Sequence, residues 1–137
     1  MVLYPGAEPY DERVGSYWSE AAQLTPTCFV QPRDAVEVAQ VVSTLVESNN
    51  TYPCKFAVRS AGHTTWAGSN NIEDGVTIDL GLINNTIYYA ENSTAGVGPG
   101  ARWLGVYKTL DALNIAAAGG RAGTVGVGGL ILGGGNS

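Results

Sequence analysis

One short segment combines the residue types that bind phosphate groups: Arg59, Ser60, Ala61, Gly62, His63 and Thr64. It directly follows Lys55 to Arg59, whose composition predicts a β-strand. A strand that enters a tight glycine-containing turn can direct several backbone N–H groups into one space, and such a nest binds an anion without a net basic protein. The two hydroxyls would add donors. An ordinary strand-to-loop turn has the same composition, so the residues alone leave both interpretations open.

His63 is the single histidine of the chain. This excludes a site with several histidine ligands and a Cys/His zinc cluster. A Ser-His-Asp triad would need His63 as its base, and no G-x-S-x-G nucleophile motif is present. A lone histidine is usually structural, although a neutral imidazole is also a competent nucleophile near neutral pH. Its role therefore depends on what surrounds it.

Glycine is the compositional outlier, with 19 of 137 residues, about twice the usual share. Nine glycines fall within residues 119–135, where they are interspersed with aliphatic residues rather than with serine. This pattern excludes collagen and a flexible linker, and it indicates backbone that lies close to a flat or phosphate-bearing ligand. Arg121 could supply a counter-charge. A glycine-rich β-turn region remains the alternative.

A second glycine motif, Gly96 to Ala101, matches the G-x-G-x-x-A pattern between a predicted strand and a predicted helix. A nicotinamide dinucleotide fold also requires an acidic residue about 20 positions further on. No Asp or Glu occurs after Asp111, and Pro99 removes one N–H group from the turn. The motif therefore does not support a Rossmann dinucleotide site.

Secondary-structure elements must position these motifs, and the order of the predicted strands and helices indicates an α+β fold. A strand at Thr27 to Gln31, a helix that begins after the capping pair Asp34 and Glu37, and the strand at Lys55 to Arg59 form a βαβ unit with a parallel pair. The helix should end at Asn49, Asn50 and Pro53. The remaining elements are a short helix at Asp11 to Gln23, a strand at Gly75 to Leu80, a hairpin of Thr86 to Ala90 and Ser93 to Val97, a helix at Ala101 to Leu113 and a strand at Asn114 to Ala118.

Composition limits the classes of function. The hydrophobic share is 45%, the charged share is 14% and the net charge is -5, which favours one folded domain and argues against nucleic-acid binding. No apolar run reaches the roughly 18 residues of a membrane span, and the first 15 residues do not resemble a signal peptide. Three glycosylation sequons begin at Asn49, Asn84 and Asn92, which would suit a secreted structural protein. Cys28 and Cys54 could be buried thiols or a disulfide.

Taken together, the motifs resemble the N-terminal flavin-binding part of the berberine-bridge-enzyme-like oxidases, which are FAD-linked oxidoreductases of the vanillyl-alcohol-oxidase type with a PCMH-type FAD-binding domain. The resemblance runs from Thr25 to Asn136 and is carried by the order and spacing of five segments: TPTCFVQPRDAVEVAQVV, FAVRSAGHTTWAGSNN, GVTIDLGLIN, VGPGARWLGVYKTLDALN and GGRAGTVGVGGLILGGG. It implies a βαβ unit followed by a mixed sheet and a glycine-rich loop, with an N-terminal extension at residues 1–24 and an incomplete FAD-binding domain at residues 25–137.

The resemblance also implies the site. The loop Arg59 to Thr64 would hold the FAD pyrophosphate, and His63 would bond covalently to the 8α-methyl group of the flavin. The other residues expected along the cofactor are Gly68, Thr124, Gly126, Gly128, Gly129 and Gly133.

Two positions depart from the family pattern. Ala61 stands where a second glycine is usual, which costs about 1 kcal/mol if that position needs a positive φ. Ala122 stands where some members carry a second flavin-linking cysteine, so at most one covalent bond is expected.

The resemblance implies oxidation of a small organic substrate by hydride transfer to FAD, with O2 as the acceptor. The substrate domain and its general base are not among these residues, so no catalytic acid or base is assigned. The alternative is a non-catalytic remnant that binds FAD weakly or not at all.

Overall fold

Four short strands form one mixed sheet in the computed structural model, which describes residues 1–48 and 54–135. They are β1 (Val2–Leu3), β2 (Cys28–Val30), β3 (Phe56–Arg59) and β4 (Val76–Asp79), in the spatial order β1-β2-β4-β3. β1 pairs antiparallel with β2, and β4 pairs parallel with both β2 and β3. β5 (Thr86–Tyr89) and β6 (Thr94–Val97) form the predicted antiparallel hairpin. The α+β class and the mixed sheet are confirmed.

The predicted βαβ unit is correct in direction but wrong in pairing. β2 and β3 are parallel strands of one sheet, yet β4 lies between them. Thr77, Ile78 and Asp79 of β4 are each fully buried, as expected for a central strand that is covered on both sides. The burial of β4 thus agrees with its position between β2 and β3.

The described residues also contain four α-helices: α1 (Glu8–Gly15), α2 (Ala35–Ser48), α3 (Trp103–Asp111) and α4 (Val127–Leu132). The capping pair of α2 is confirmed, because the Glu37 N–H group donates to Asp34 Oδ1 at 2.8 Å and the Arg33 N–H group donates to Glu37 Oε2 at 2.8 Å. The predicted helix end at Asn49, Asn50 and Pro53, and the sequon at Asn49, lie outside the described residues.

Three other sequence predictions are corrected. The first helix begins at Glu8 rather than at Asp11, because Pro9 is well placed in a first helical turn, and a separate 3-10 turn follows at Glu20–Ala22. Residues 114–118 are not a strand: Asn114 has φ +55 and the Ile115 N–H group donates to Leu110 O at 3.1 Å, which closes the end of α3. The glycine-rich segment is not all loop, since α4 forms within it.

The glycines of the Gly96 to Ala101 motif serve backbone packing. A Cβ atom on Gly98 would lie 2.2 Å from Ile83 O, and one on Gly100 would lie 1.8 Å from Leu80 O. β6 before the motif belongs to the hairpin and not to the parallel sheet. The motif thus lacks the strand context of a dinucleotide site, in agreement with the sequence argument.

Two hydrophobic clusters flank the loop that follows β3. Leu3, Tyr10, Tyr17, Ala22 and Phe29 join residues 1–24 to β2. The second cluster consists of Ala101, Trp103, Val106, Leu110 and Val127 and joins α3 to α4. Among the described residues, no helix has the length and apolar character of a membrane span, and no disulfide joins Cys28 to Cys54.

Glu73 couples stability to pH. Its carboxylate accepts hydrogen bonds from the Thr25 N–H group at 2.8 Å and from Thr25 Oγ1 at 2.5 Å, and these bonds hold the pKa of Glu73 below its usual value of 4.5. A carboxylate with a depressed folded-state pKa stabilises the fold above its unfolded-state pKa, and this contribution is lost as the pH falls through the folded-state value.

We therefore expect Glu73→Gln to reduce the rise in unfolding free energy between acidic and neutral pH. Urea titrations at several pH values measure this slope. Thr25→Val, which removes the hydroxyl donor, should weaken the same slope, and an unchanged slope in both variants would contradict the assignment.

Candidate functional site

The turn after β3 presents five consecutive backbone N–H groups without an acceptor. In the part of the chain that the structure describes, the N–H groups of residues 61–65 donate no hydrogen bond. Gly62 has φ +78, whereas Ala61 lies outside the left-handed region, so alanine at position 61 carries no backbone strain. Unpartnered consecutive N–H groups in a turn form an anion-binding nest. These N–H groups are therefore available to an anion, as the phosphate interpretation of this segment requires.

Arg59 lies beneath this turn rather than in it. Its side chain is fully buried, donates to Arg13 O at 2.8 Å and to Ser16 Oγ at 2.8 Å, and stacks on the Tyr17 ring at 3.8 Å. Burial lowers the pKa of Arg59 and raises that of Tyr17, and each partner opposes the shift of the other. Arg59 therefore ties the turn to the N-terminal segment.

A buried ion pair supports the same region. Asp79 is fully buried and accepts from Arg13 Nη2 at 2.6 Å, from Gln31 Nε2 at 2.9 Å and from the Gly81 N–H group at 3.0 Å. These contacts join α1, β2 and the end of β4. Because a buried carboxylate is costly unless it is paired, this network fixes the strand ends from which the turn projects.

His63 is half-buried and is held by two distant segments. Its Nε2 atom lies 3.2 Å from Thr124 Oγ1, and its ring stacks on Trp18 with centroids 4.9 Å apart and planes at 18°. The Trp18 N–H group donates to Gly62 O at 3.0 Å. The imidazole thus lies beside the glycine-rich segment, as the sequence interpretation requires.

A cavity of about 510 Å³ opens next to these residues. Ser60, Ala61, Gly62, His63 and Thr64 line it from the turn, and Gly126, Gly128 and Gly129 line it from the second glycine-rich segment; the other walls are largely aliphatic, from Val58, Leu80, Val125, Leu130 and Leu132. Asn70 also lines it, and its Oδ1 atom is buried without a hydrogen-bond partner. Such a cavity suits a flat apolar ligand that carries an N–H or O–H donor.

Four predicted site residues do not line this cavity. Arg59 is buried behind the turn, Gly68 and Gly133 are exposed, and Thr124 reaches His63 from an adjoining cavity. Arg121, the proposed counter-charge, lines neither cavity.

The adjoining cavity, of about 640 Å³, shares Ser60 and Ala61 with the first and is lined by Arg13, Arg102 and Lys108. Arg102 also holds the two glycine-containing segments together, because it donates to Thr124 O at 2.9 Å and to Ala61 O at 3.5 Å. Sequence reasoning missed Arg102 and the contact of Trp18 with His63. Arg102 lies in the segment VGPGARWLGVYKTLDALN, but no role is predicted for its side chain, and Trp18 lies outside all five segments. Arg102 and Lys108 place two positive charges beside this cavity, whereas the charge of Arg13 is balanced by Asp79.

The family model described as "FAD binding domain" matches residues 26–137. The chain belongs to this FAD-binding domain family. It is 47% identical, over 99% of its length, to the FAD-dependent monooxygenase sdcF of Emericella nidulans, of which it covers 28%. The chain thus spans about a quarter of the length of the curated relatives it matches.

Solved structures share the fold. The 6-hydroxy-D-nicotine oxidase of Arthrobacter nicotinovorans superposes on this FAD-binding domain with a TM-score of 0.83 at 25% identity, over 95% of this chain and 27% of that one. Glucooligosaccharide oxidase from Acremonium strictum, whose FAD is described as 6-S-cysteinyl, 8α-N1-histidyl, gives 0.81 at 22% identity, over 97% and 27%. A single-substitution variant of Physcomitrella patens BBE-like 1 gives 0.75 at 22% identity, over 95% and 28%. The predicted resemblance is confirmed.

The chemistry of the site fits FAD, the cofactor of this family. FAD combines an anionic pyrophosphate with a flat ring system that carries an N–H donor. The free N–H groups of residues 61–65 suit the pyrophosphate. The aliphatic cavity with its unpartnered Asn70 acceptor suits the ring system.

Proposed function

We propose that this chain is part of the FAD-binding module of a flavin-dependent oxidoreductase that oxidises a small organic substrate, with O2 as the acceptor. The turn of residues 60–64 binds the pyrophosphate, and the aliphatic cavity receives the flavin ring. The observation that carries this proposal is the run of unpartnered N–H groups at residues 61–65, of which residues 61–64 line that cavity. When bound, FAD supplies hydride acceptance and electron transfer to oxygen.

The residues of the chain act by holding the cofactor. Main-chain N–H groups stabilise the phosphate charge, and the hydroxyls of Ser60 and Thr64 border the same cavity. Ser60 Oγ donates to Pro99 O at 2.6 Å, so its proton is not available to a phosphate, and only the Thr64 hydroxyl remains of the two added donors that the sequence predicts. Gly126, Gly128 and Gly129 line the cavity without side chains and leave room for the ring.

His63 is the proposed point of covalent attachment. Thr124 Oγ1 contacts Nε2, and no described residue hydrogen-bonds Nδ1. In the tautomer that attachment needs, Nε2–H donates to Thr124 Oγ1 and Nδ1 carries the free lone pair. Attachment would form an Nδ1–carbon bond in place of one methyl C–H bond of the flavin and the imidazole N–H bond, and O2 would take up the two hydrogens and the electron pair as hydrogen peroxide. The exposed Thr124 hydroxyl lies where the Nε2 proton leaves.

A titration of the purified chain with FAD tests the module, with thermal melting in parallel. Saturable binding and a cooperative melt that rises with FAD are expected. Riboflavin, which lacks the diphosphate, should bind at least about tenfold more weakly, because an anion in a nest of N–H groups is worth more than about 1.4 kcal/mol.

Equal affinity for riboflavin and FAD would contradict the pyrophosphate assignment. Absence of both saturable binding and a cooperative melt would favour the alternative, a non-catalytic remnant.

A further inference from the structure

Trp18 makes a contact that the family match does not include. Residue 18 precedes the matched range of residues 26–137, and its indole is 62% exposed. Although much of the indole is exposed to water, it lies nearly parallel to the His63 imidazole, with the two ring centroids 4.9 Å apart. Its backbone N–H group also bonds Gly62 O at 3.0 Å. Both contacts of Trp18 are directed at the turn and at its histidine.

The imidazole is restrained in two independent ways. Stacking on Trp18 fixes the plane of the ring, because an indole face favours offset parallel packing. Stacking alone permits a half-turn of the ring about the Cβ–Cγ bond, which keeps the ring plane but would put carbon atoms in the places of both nitrogens. The contact of Nε2 with Thr124 Oγ1 at 3.2 Å selects one of these two states. Together the two residues define a single position for Nδ1.

The indole does not line the cavity, whereas the imidazole does. Trp18 therefore contacts the ring without occupying space that the flavin needs. A group with this geometry restrains a nucleophile without touching the reacting atoms.

We propose that Trp18 is a positioning residue that holds the His63 imidazole in the orientation from which Nδ1 attacks the flavin 8α-carbon. This inference rests on the proposed covalent attachment. If Trp18 has this role, residues 1–24 contribute to the site through the Trp18 side chain. Misplacement of a reacting atom by about 1 Å can cost about 100-fold in rate, so loss of the restraint should slow attachment rather than weaken the binding of FAD.

The experiment measures the rate at which purified apo-chain incorporates FAD covalently, by flavin fluorescence of the denatured protein on a gel at increasing times. Trp18→Ala should slow incorporation about 10- to 100-fold, and Trp18→Phe, which retains an aromatic face, should recover most of the rate. Trp66→Ala is the matched control. Trp66 lies in the loop that contains His63 and is 78% exposed, and its hydrogen bonds are made by its own backbone atoms and not by its indole. It should leave the rate unchanged.

A second readout separates positioning from general structure. In a His63→Ala background, where attachment cannot occur, Trp18→Ala should change the FAD dissociation constant by less than about twofold. A larger loss of affinity there would overturn the proposal in favour of a structural role for Trp18. Attachment at the wild-type rate in Trp18→Ala would also overturn it and would leave the proposed function intact. Wild-type protein that binds FAD without ever attaching it would contradict both attachment and positioning.

Discussion

Replacing His63 by alanine is expected to abolish covalent flavin while FAD still binds reversibly. His63 is the single histidine of the chain. Neither Cys28 nor Cys54 lines the cavity. The N–H groups that bind phosphate belong to the backbone and remain in the variant, so the FAD dissociation constant should rise by less than about tenfold.

The measurement is the distribution of flavin after acid precipitation. The wild-type pellet should retain flavin absorbance, whereas all of the flavin should move to the supernatant for His63→Ala. Thr64→Ala serves as the control at the adjacent position, because Thr64 lines the same cavity but lacks a ring nitrogen, and its pellet should stay coloured. Flavin that remains in the His63→Ala pellet would show that another residue is the attachment point.

Local signals in the sequence predict three elements of the structure: the turn after β3, the helix α2 and the hairpin. The turn at residues 60–64 follows a strand and contains Gly62, whose φ of +78 is the conformation for which glycine is suited. The helix α2 has its complete capping pair within four residues, Asp34 and Glu37. The hairpin strands alternate on either side of a short turn. Each of these elements depends on neighbours in the chain, so composition and spacing specify it.

The orientation of β3 shows what local reasoning misses. Val58 is 47% exposed while Arg59 is fully buried, the reverse of what hydrophobicity alone predicts. The reversal is possible because Tyr17, Ser16 and Arg13 provide the guanidinium with a ring face and acceptors. These partners lie more than 40 positions earlier, so no sequence window contains both sides of the interaction. Val58 is thereby left to line the cavity.

The glycine content of α4 is the reason that the sequence does not predict this helix. Each glycine disfavours a helix by about 1 kcal/mol relative to alanine, and Gly128 and Gly129 lie inside α4. Tertiary contacts override this cost: Val127 is buried, and its N–H group donates to Ala101 O at 2.9 Å. A Cβ atom on Gly128 would lie 2.8 Å from Pro99 O. The glycines therefore allow α4 to pack closely on the turn before α3, which sequence periodicity alone does not reveal.

Gly62→Ala is expected to weaken FAD binding more than tenfold and to destabilise the fold, because it combines two penalties. Alanine at φ +78 costs about 1–2 kcal/mol of backbone strain. The added Cβ atom would also lie 2.7 Å from Tyr17 Cδ1 and 3.0 Å from Arg59 Nε. Tyr17 cannot give way easily, since it is buried, donates to Asn70 O at 3.0 Å and carries the Arg59 guanidinium on its face.

Gly68→Ala separates these two penalties. Gly68 has a similar φ of +83, but nothing lies within 4 Å of an added Cβ atom, so this variant carries the strain without the collision. Urea unfolding should show a loss of about 1–2 kcal/mol for Gly68→Ala and a larger loss for Gly62→Ala, and FAD titration should show weakened binding for Gly62→Ala alone. Equal losses of stability and unchanged FAD affinity in both variants would mean that the tight packing of Gly62 on Tyr17 does not shape the phosphate-binding turn.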